Sequence, residues 1–171
     1  MVPDDGTVQA GKTLQYHDNG DGTITDKVTG LMWEKKSDDG GLHDQDTTYP
    51  WKSTITDTIW DWLDDVNAEG GKGFARHRDW RIPNVKELQS IVDYENSAPA
   101  VASAFNTGCG GNSVFTGSCT AASVYWSSST FAGVSAFSWA VGFNFGLVVA
   151  GDKSSAAHVR AVRGGCGLGP N

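Results

Sequence analysis

The chain has 171 residues, 39% of them hydrophobic and 19% charged; it is too apolar to stay disordered, and no apolar run approaches the roughly 20 residues of a membrane-spanning helix. Thirteen basic against twenty acidic residues give a net charge of −7 with no basic stripe, which disfavours nucleic acid and other polyanions as partners. The charge is segregated, since residues 1–100 hold 19 of the acids and 10 of the bases while Asn96 to Gly151 holds none.

The length suits one domain over 1–171. Met1-Val2-Pro3-Asp4-Asp5-Gly6 has neither a basic nor an apolar signal region, so a secretory signal is expected to be absent or removed. Asn19-Gly20-Asp21-Gly22 and Val28-Thr29-Gly30 separate three short alternating segments around Tyr16, Ile24 and Trp33, which predicts three strands in tight hairpins. Residues 37–50 read as loop. From Thr54 to Gly70 the residues Ile55, Ile59, Trp62, Leu63 and Val66 recur at helical spacing, and Gly70-Gly71 closes the helix. Pro83-Asn84-Val85-Lys86-Glu87 carries a capping box for a second helix reaching about Tyr94, with Val85, Leu88, Ile91 and Val92 inward. A long loop over 96–123 follows. Strands are then expected at 124–127, 136–143, 147–150 and 157–162, punctuated by Gly133, Gly146 and Gly151.

Candidate chemistry is sparse. Asp18, Asn19, Asp21 and Asp26 offer oxygens to a calcium ion, but the EF-hand offset fails and two turns account for the segment, so no cofactor is expected. His17, His43, His77 and His158 have no partners at metal spacing and read as surface or turn residues. Cys109 and Cys119 stand ten apart and suit a loop disulfide in an exported protein, leaving Cys166 odd. Trp33, Trp80 and Trp126 read as core anchors and Trp62 as part of the helix stripe. Trp51, Trp60, Phe131, Phe137 and Phe145 are candidate ligand contacts. Arg160 and Arg163 read as buried arginines paired with acids such as Asp79 or Glu87.

Asp18–Asp26, Thr29-Gly30-Leu31-Met32-Trp33, Asp79-Trp80-Arg81-Ile82-Pro83-Asn84, Lys86-Glu87-Leu88, Tyr125-Trp126-Ser127-Ser128 and Val159-Arg160-Ala161-Val162-Arg163-Gly164-Gly165 together resemble the Lcl C-terminal-domain family, in order and over about 15–165. The Trp-Arg-Ile-Pro and closing segments are also similar to formylglycine-generating-enzyme-type proteins. The resemblance implies an α+β, C-type lectin-like fold, loop-rich, with two helices and small antiparallel sheets. The enzymes of that branch use a reactive cysteine pair, and Cys109 and Cys119 sit away from such a pattern.

Residues 127–158 further resemble the variable region of diversity-generating retroelement proteins. Adenine mutagenesis of Asn or Tyr codons ending in a pyrimidine never yields Lys, Glu, Gln, Met or Trp, and between Ser127 and His158 only Trp139 and Lys153 belong to that set. The expected function is a non-catalytic ligand-binding or display module, secreted or at the cell surface, whose partner is a protein or carbohydrate on a cell or phage-host surface. A carbohydrate-binding adhesin domain and, further off, an oxidase are the alternatives. The expected ligand residues are Phe131, Phe137, Gly142, Asn144, Phe145, Leu147, Val149, Gly151, Asp152, Ser154, Ser155, Ala156 and His158, over a core that includes Val141, Phe143 and Val148. The turn reading of Asp18–Asp26 predicts a melting temperature unchanged by a chelator, whereas removal of a bound ion would lower it as RT ln(1 + [L]/Kd).

Overall fold

Asx turns shape the first hairpins. In a computed structural model that describes residues 13–110 and 113–164, the Asp21 carboxylate accepts from the Thr23 N–H at 3.1 Å and the Thr23 hydroxyl at 2.6 Å. Asp26 accepts from the Val28 N–H at 2.8 Å, and Asp18 from the Gly20 N–H at 2.9 Å and the Lys35 ammonium at 2.7 Å. These oxygens are turned into separate turns rather than toward one point. Gly20 and Gly22 take φ of +75° and +93°, conformations that L side chains rarely adopt.

The turns produce β1 (Tyr16–Asp18), β2 (Thr23–Asp26) and β3 (Leu31–Glu34), which pair antiparallel in chain order; β9 (Val162–Gly164) closes this sheet against β3. A second sheet has the order β4 (Thr48–Pro50), β8 (Ala156–His158), β5 (Val124–Thr130), β6 (Phe137–Gly142), β7 (Leu147–Asp152). Its neighbours are antiparallel except β5 and β8, which run parallel. With two helices beside two mostly antiparallel sheets, the architecture is α+β.

Three expectations are corrected. Residues 37–50 are not all loop, because Thr48, Tyr49 and Pro50 pair with His158, Ala157 and Ala156. The first helix, α1 (Ile59–Ala68), starts later than expected: the Thr58 side chain accepts from Trp60 N–H, and Asp61 accepts from the Thr58 N–H at 2.8 Å, completing a capping box. Ile55 therefore precedes the cap and is 91% exposed. The second helix, α2 (Val85–Gln89), has its Asn84/Glu87 capping box as expected but ends at Ser90, well short of Tyr94. Ile91 and Val92 are nevertheless buried, and Val92 forms a bridge with Val101.

The strand expected at 157–162 is two strands in different sheets. Between β8 and β9 the chain crosses from one sheet to the other, and there Arg160 is 1% exposed. Its guanidinium donates to the Glu34 carbonyl at 2.9 Å, the Cys119 carbonyl at 2.6 Å and the Thr120 hydroxyl at 2.7 Å. It thus satisfies main-chain carbonyls at the end of β3 and in the loop before β5, and a hydroxyl, and not an acid as expected. Arg163 does pair with Asp79 at 2.7 Å, while Glu87 is engaged by Arg81 at 2.6 Å.

The core has two parts. One gathers Trp33, Leu88, Phe105, Tyr125, Val141 and Phe143; the other gathers Ile59, Trp62, Val66, Trp80, Trp126 and Ala140. Each of three anchoring indoles finds an acceptor: Trp80 Nε1–H donates to Phe74 O, Trp126 to Tyr49 O and Trp62 to Leu42 O. Trp80 is 3% exposed, so Trp80→Ala should cost about 3–5 kcal/mol in urea unfolding. Ile55→Ala should change stability by less than about 0.5 kcal/mol. Equal effects would contradict this partition of the two side chains.

Candidate ligand-binding surface

The expected site lies on β6 and β7, the hairpin between them and the turn that follows. β7 is an edge strand, and its side chains remain open over most of its length, with Leu147 at 56% and Val148 at 37% exposure. Beside them Phe145 is 63% and Tyr94 70% exposed. Tyr94 donates its hydroxyl to Gly146 O at 3.1 Å, which fixes its ring against the β6–β7 turn. Gly146 at φ +74° lets the chain turn under that ring. At the other end of β7, Asp152, Ser154, Ser155 and Ala156 are exposed in the turn leading to β8. The Ser154 hydroxyl and N–H donate to Asp152 at 2.7 and 2.8 Å and hold its carboxyl below the usual carboxylate range.

The structure thus brings together Phe145 and Leu147 at one end of β7, and Asp152 with Ser154, Ser155 and Ala156 at the other. Phe137 is half-buried opposite Asp152, and half-buried Phe131 meets Trp139 edge to face at 5.0 Å. Asn144 is half-buried, its carbonyl accepting from Ala98 N–H at 3.1 Å. Val149 is half-buried against the second core cluster.

Four expectations change. Gly142 is buried, and a Cβ there would stand 2.9 Å from Asn144 Oδ1. Gly151 lies over the buried Trp126 indole, which a Cβ would approach to 2.7 Å, so any side chain must displace a packed ring. His158 turns inward, donating Nδ1–H to Gln45 O at 2.7 Å and stacking on Tyr125 at 5.2 Å. Val148, expected in the core, is on the surface because its partner Val141 is covered by the first core cluster while the edge strand overhangs it.

The sequence singles out Trp51 and Trp60 but not their pairing, and it misses the burial of His43. Trp51 and Trp60 meet edge to face at 4.9 Å, and Lys153 Nζ stands 3.9 Å from the Trp51 ring centre, beside a cleft of about 560 Å3 next to Asp152. A larger cleft of about 860 Å3 opens between the 69–76 loop and Val114–Phe115. His43, expected at the surface, is 7% exposed at its floor, with Nδ1 2.7 Å from Glu34 and Nε2 3.3 Å from Glu69. Nothing in Gly41-Leu42-His43-Asp44 signals that, because the carboxylates it meets are distant in sequence.

Cys109 and Cys119 form a disulfide with 5.0 Å between Cα atoms, as expected for a loop staple; Cys166 lies outside the described residues. Among the described residues no three or more His, Cys, Asp or Glu side chains converge on a metal position, and no helix is long and apolar enough to cross a membrane.

Over residues 22–163 the chain matches the family model described as the Lcl C-terminal domain. No curated protein matches it.

Burial pushes the His158 imidazole below its ordinary 6.5 despite the Gln45 carbonyl. The unfolded chain therefore takes up this proton first as pH falls. The stability contribution is complete above about pH 6.5 and is lost as pH drops from there through the lower folded value. Urea unfolding should show wild type losing stability between about pH 7.5 and 5.5, with His158→Gln losing less over that interval. A parallel loss in both proteins would contradict the assignment.

Proposed function

The chain belongs to the Lcl C-terminal domain family, and from that premise we propose that it is a non-catalytic binding module with a C-type lectin-like fold. Its ligand surface is the outer part of the β6–β7 hairpin and the 152–156 turn. The observation that carries this reading is the contrast across one hairpin. Val141 and Phe143 are fully buried, whereas Phe145, Leu147, Val148, Asp152, Ser154 and Ser155 stand exposed on an edge strand and its turns. A contiguous apolar exposure rimmed by hydroxyls is what recognition surfaces present, and small and aromatic side chains give adaptable contact at low entropy cost.

The absence of charge from Asn96 to Gly151 supports a neutral protein or glycan surface as ligand rather than nucleic acid. The palette from Ser127 to His158 supports a variable protein of a diversity-generating retroelement; a near-copy of that coding segment beside a reverse transcriptase gene tests it. The Cys109–Cys119 disulfide supports a secreted or cell-surface location. It also counts against a thiol-dependent oxidase, since the cysteines that such chemistry would recruit are joined in a loop staple. The half-exposed Trp60 edge beside Trp51 favours, as a second reading, a sugar-binding adhesin domain, which a glycan array with wild type and Trp60→Ala tests.

The main test is a library randomised to small and aromatic residues at Phe145, Leu147, Val148, Ala150, Ser154 and Ser155. It is sorted for protease resistance and then for capture of an arbitrary immobilised protein such as streptavidin. Each site should cost a few tenths of a kcal/mol, and binders should emerge. A second library at Val141, Gly142, Phe143 and Gly151 should lose folding. Equal intolerance in both libraries would refute the display reading.

A further inference from the structure

The free edge of β7 carries an inference beyond ligand display. The bond from Lys153 N–H to Ala136 O at 2.9 Å sets the phase of the β6–β7 ladder, in which Ser138 faces Gly151 and Ala140 faces Val149. In an antiparallel ladder hydrogen-bonded pairs recur every second residue. Leu147, Val149 and Gly151 therefore spend their main-chain groups on β6, and Val148 and Ala150 point theirs outward. Among the described residues no other group takes up the N–H or C=O of Val148 or Ala150, whereas Asp152 O already accepts from Ser155 N–H at 2.9 Å. Natural sheets shield such an edge with lysine, proline or a bulge. Leu147–Asp152 has none of these, and its one charge is terminal.

We propose that this edge pairs antiparallel with the same edge of a second copy of the chain, about a two-fold axis at Val149. That register makes Val148 face Ala150 of the second copy and the reverse, so the exposed donors and acceptors of both strands are exchanged. The side chains agree with it. Leu147, 56% exposed, comes opposite Gly151 of the second copy, the position that has no side chain above the Trp126 ring. Val148 comes opposite Ala150. On either side of the Val149 pair at the axis a bulky residue thus meets a small one, which is the self-complementarity that a two-fold contact requires.

Charge permits the same register. The two Asp152 carboxylates fall at opposite ends of the pair, each beside Gly146 of the other copy, and nothing else from Asn96 to Gly151 is charged. Continuing the register carries the exposed Phe145 to Lys153 of the second copy. There the cleft of about 560 Å3 lined by Trp51, Ala136 and Lys153 opens at the end of β7. Each copy would thus offer one ring and one cleft, and the two five-stranded sheets would run on as one.

Sedimentation velocity over a concentration series should show the full chain at twice 18.2 kDa. Val148→Lys, a change at a 37% exposed side chain, should shift it to the single mass with an unchanged circular dichroism spectrum. A second measurement does not depend on that variant. Val149 sits on the axis as a non-hydrogen-bonded pair with Cα atoms roughly 4.5 Å apart, within disulfide reach. In a Cys166→Ser background, Val149→Cys should form a covalent dimer on mild oxidation. Leu147→Cys, whose two copies lie roughly 14 Å apart along the strand, should not. A chain of single mass at all concentrations overturns the proposal, including one whose edge captures a foreign strand. A dimer that survives Val148→Lys, or one that Val149→Cys does not cross-link, places the contact elsewhere and also overturns it.

Discussion

The fold depends on one buried carboxylate. Glu34, at the end of β3, is fully buried, and every polar atom it carries is engaged. Its N–H donates to Ala161 O at 3.0 Å, its carbonyl accepts from Arg160, and its carboxylate accepts from Ala161 N–H at 2.7 Å, from Lys36 at 3.1 Å and from His43 at 2.7 Å. Burial alone would raise its pKa, but Lys36, the His43 bond and the Ala161 N–H outweigh it and hold the carboxyl below the usual range. One side chain thereby ties the first sheet to the crossing segment, and through His43 and Glu69 to the loop after α1. Taking a single partner from such a group strands a charge in a dry interior, a penalty of about 3–5 kcal/mol. The interaction is strong evidence of specificity in the crossing, since only one register of 159–163 delivers the Ala161 N–H to the Glu34 carboxylate.

That crossing explains how the charged anchors and the exposed edge are kept apart. The chain passes from β8 to β9 with Arg160 and Ala161 inside, so the second sheet is held at its β8 side by strands and by Trp126, whose indole donates to Tyr49 O at 3.0 Å. Among the described residues its β7 side pairs with β6 alone. Ionic and indole anchoring therefore accumulates at one side of the sheet, and the opposite side is left with an unpaired edge that is uncharged up to Asp152. Substitutions on the free side have few anchoring contacts to disturb, except where a glycine brings the backbone onto a ring, as Gly151 does over Trp126.

Much of this was legible in the chain. Turn residues located β1 to β3, the Asn84/Glu87 pair located the start of α2, and Trp33, Trp80 and Trp126 are the core anchors. Failures cluster where long-range pairing overrides local pattern. Thr48–Pro50 carries no alternation and is a strand only because β8 lies beside it. Ile55 fits the helical period but stands before a threonine cap, and the cap decides. The exposure of β7 was read only in part. Alternation says which positions share a face, but not that β7 is the edge, and that placement alone exposes Val148 while leaving Val141 buried. His43 and Arg160 carry no local signal of their partners, which arrive from 9 to 126 residues away.

An edge strand also limits how its exposed surface can vary. Side chains of β7 can change while its outward N–H and C=O groups stay, because these belong to the main chain and lie at Val148 and Ala150 whatever the residue, proline excepted. The main-chain hydrogen bonds of the edge are therefore insensitive to sequence, whereas every contact made by its side chains is sensitive to it. A hairpin of this kind can hold a constant partner by its backbone and select a changing one by its side chains. The two demands conflict at Leu147 and Val148, whose bulk answers Gly151 and Ala150 of a second copy. Gly151 is already fixed from below by Trp126, which leaves Leu147 and Val148 as the positions where self-pairing and side-chain variation compete.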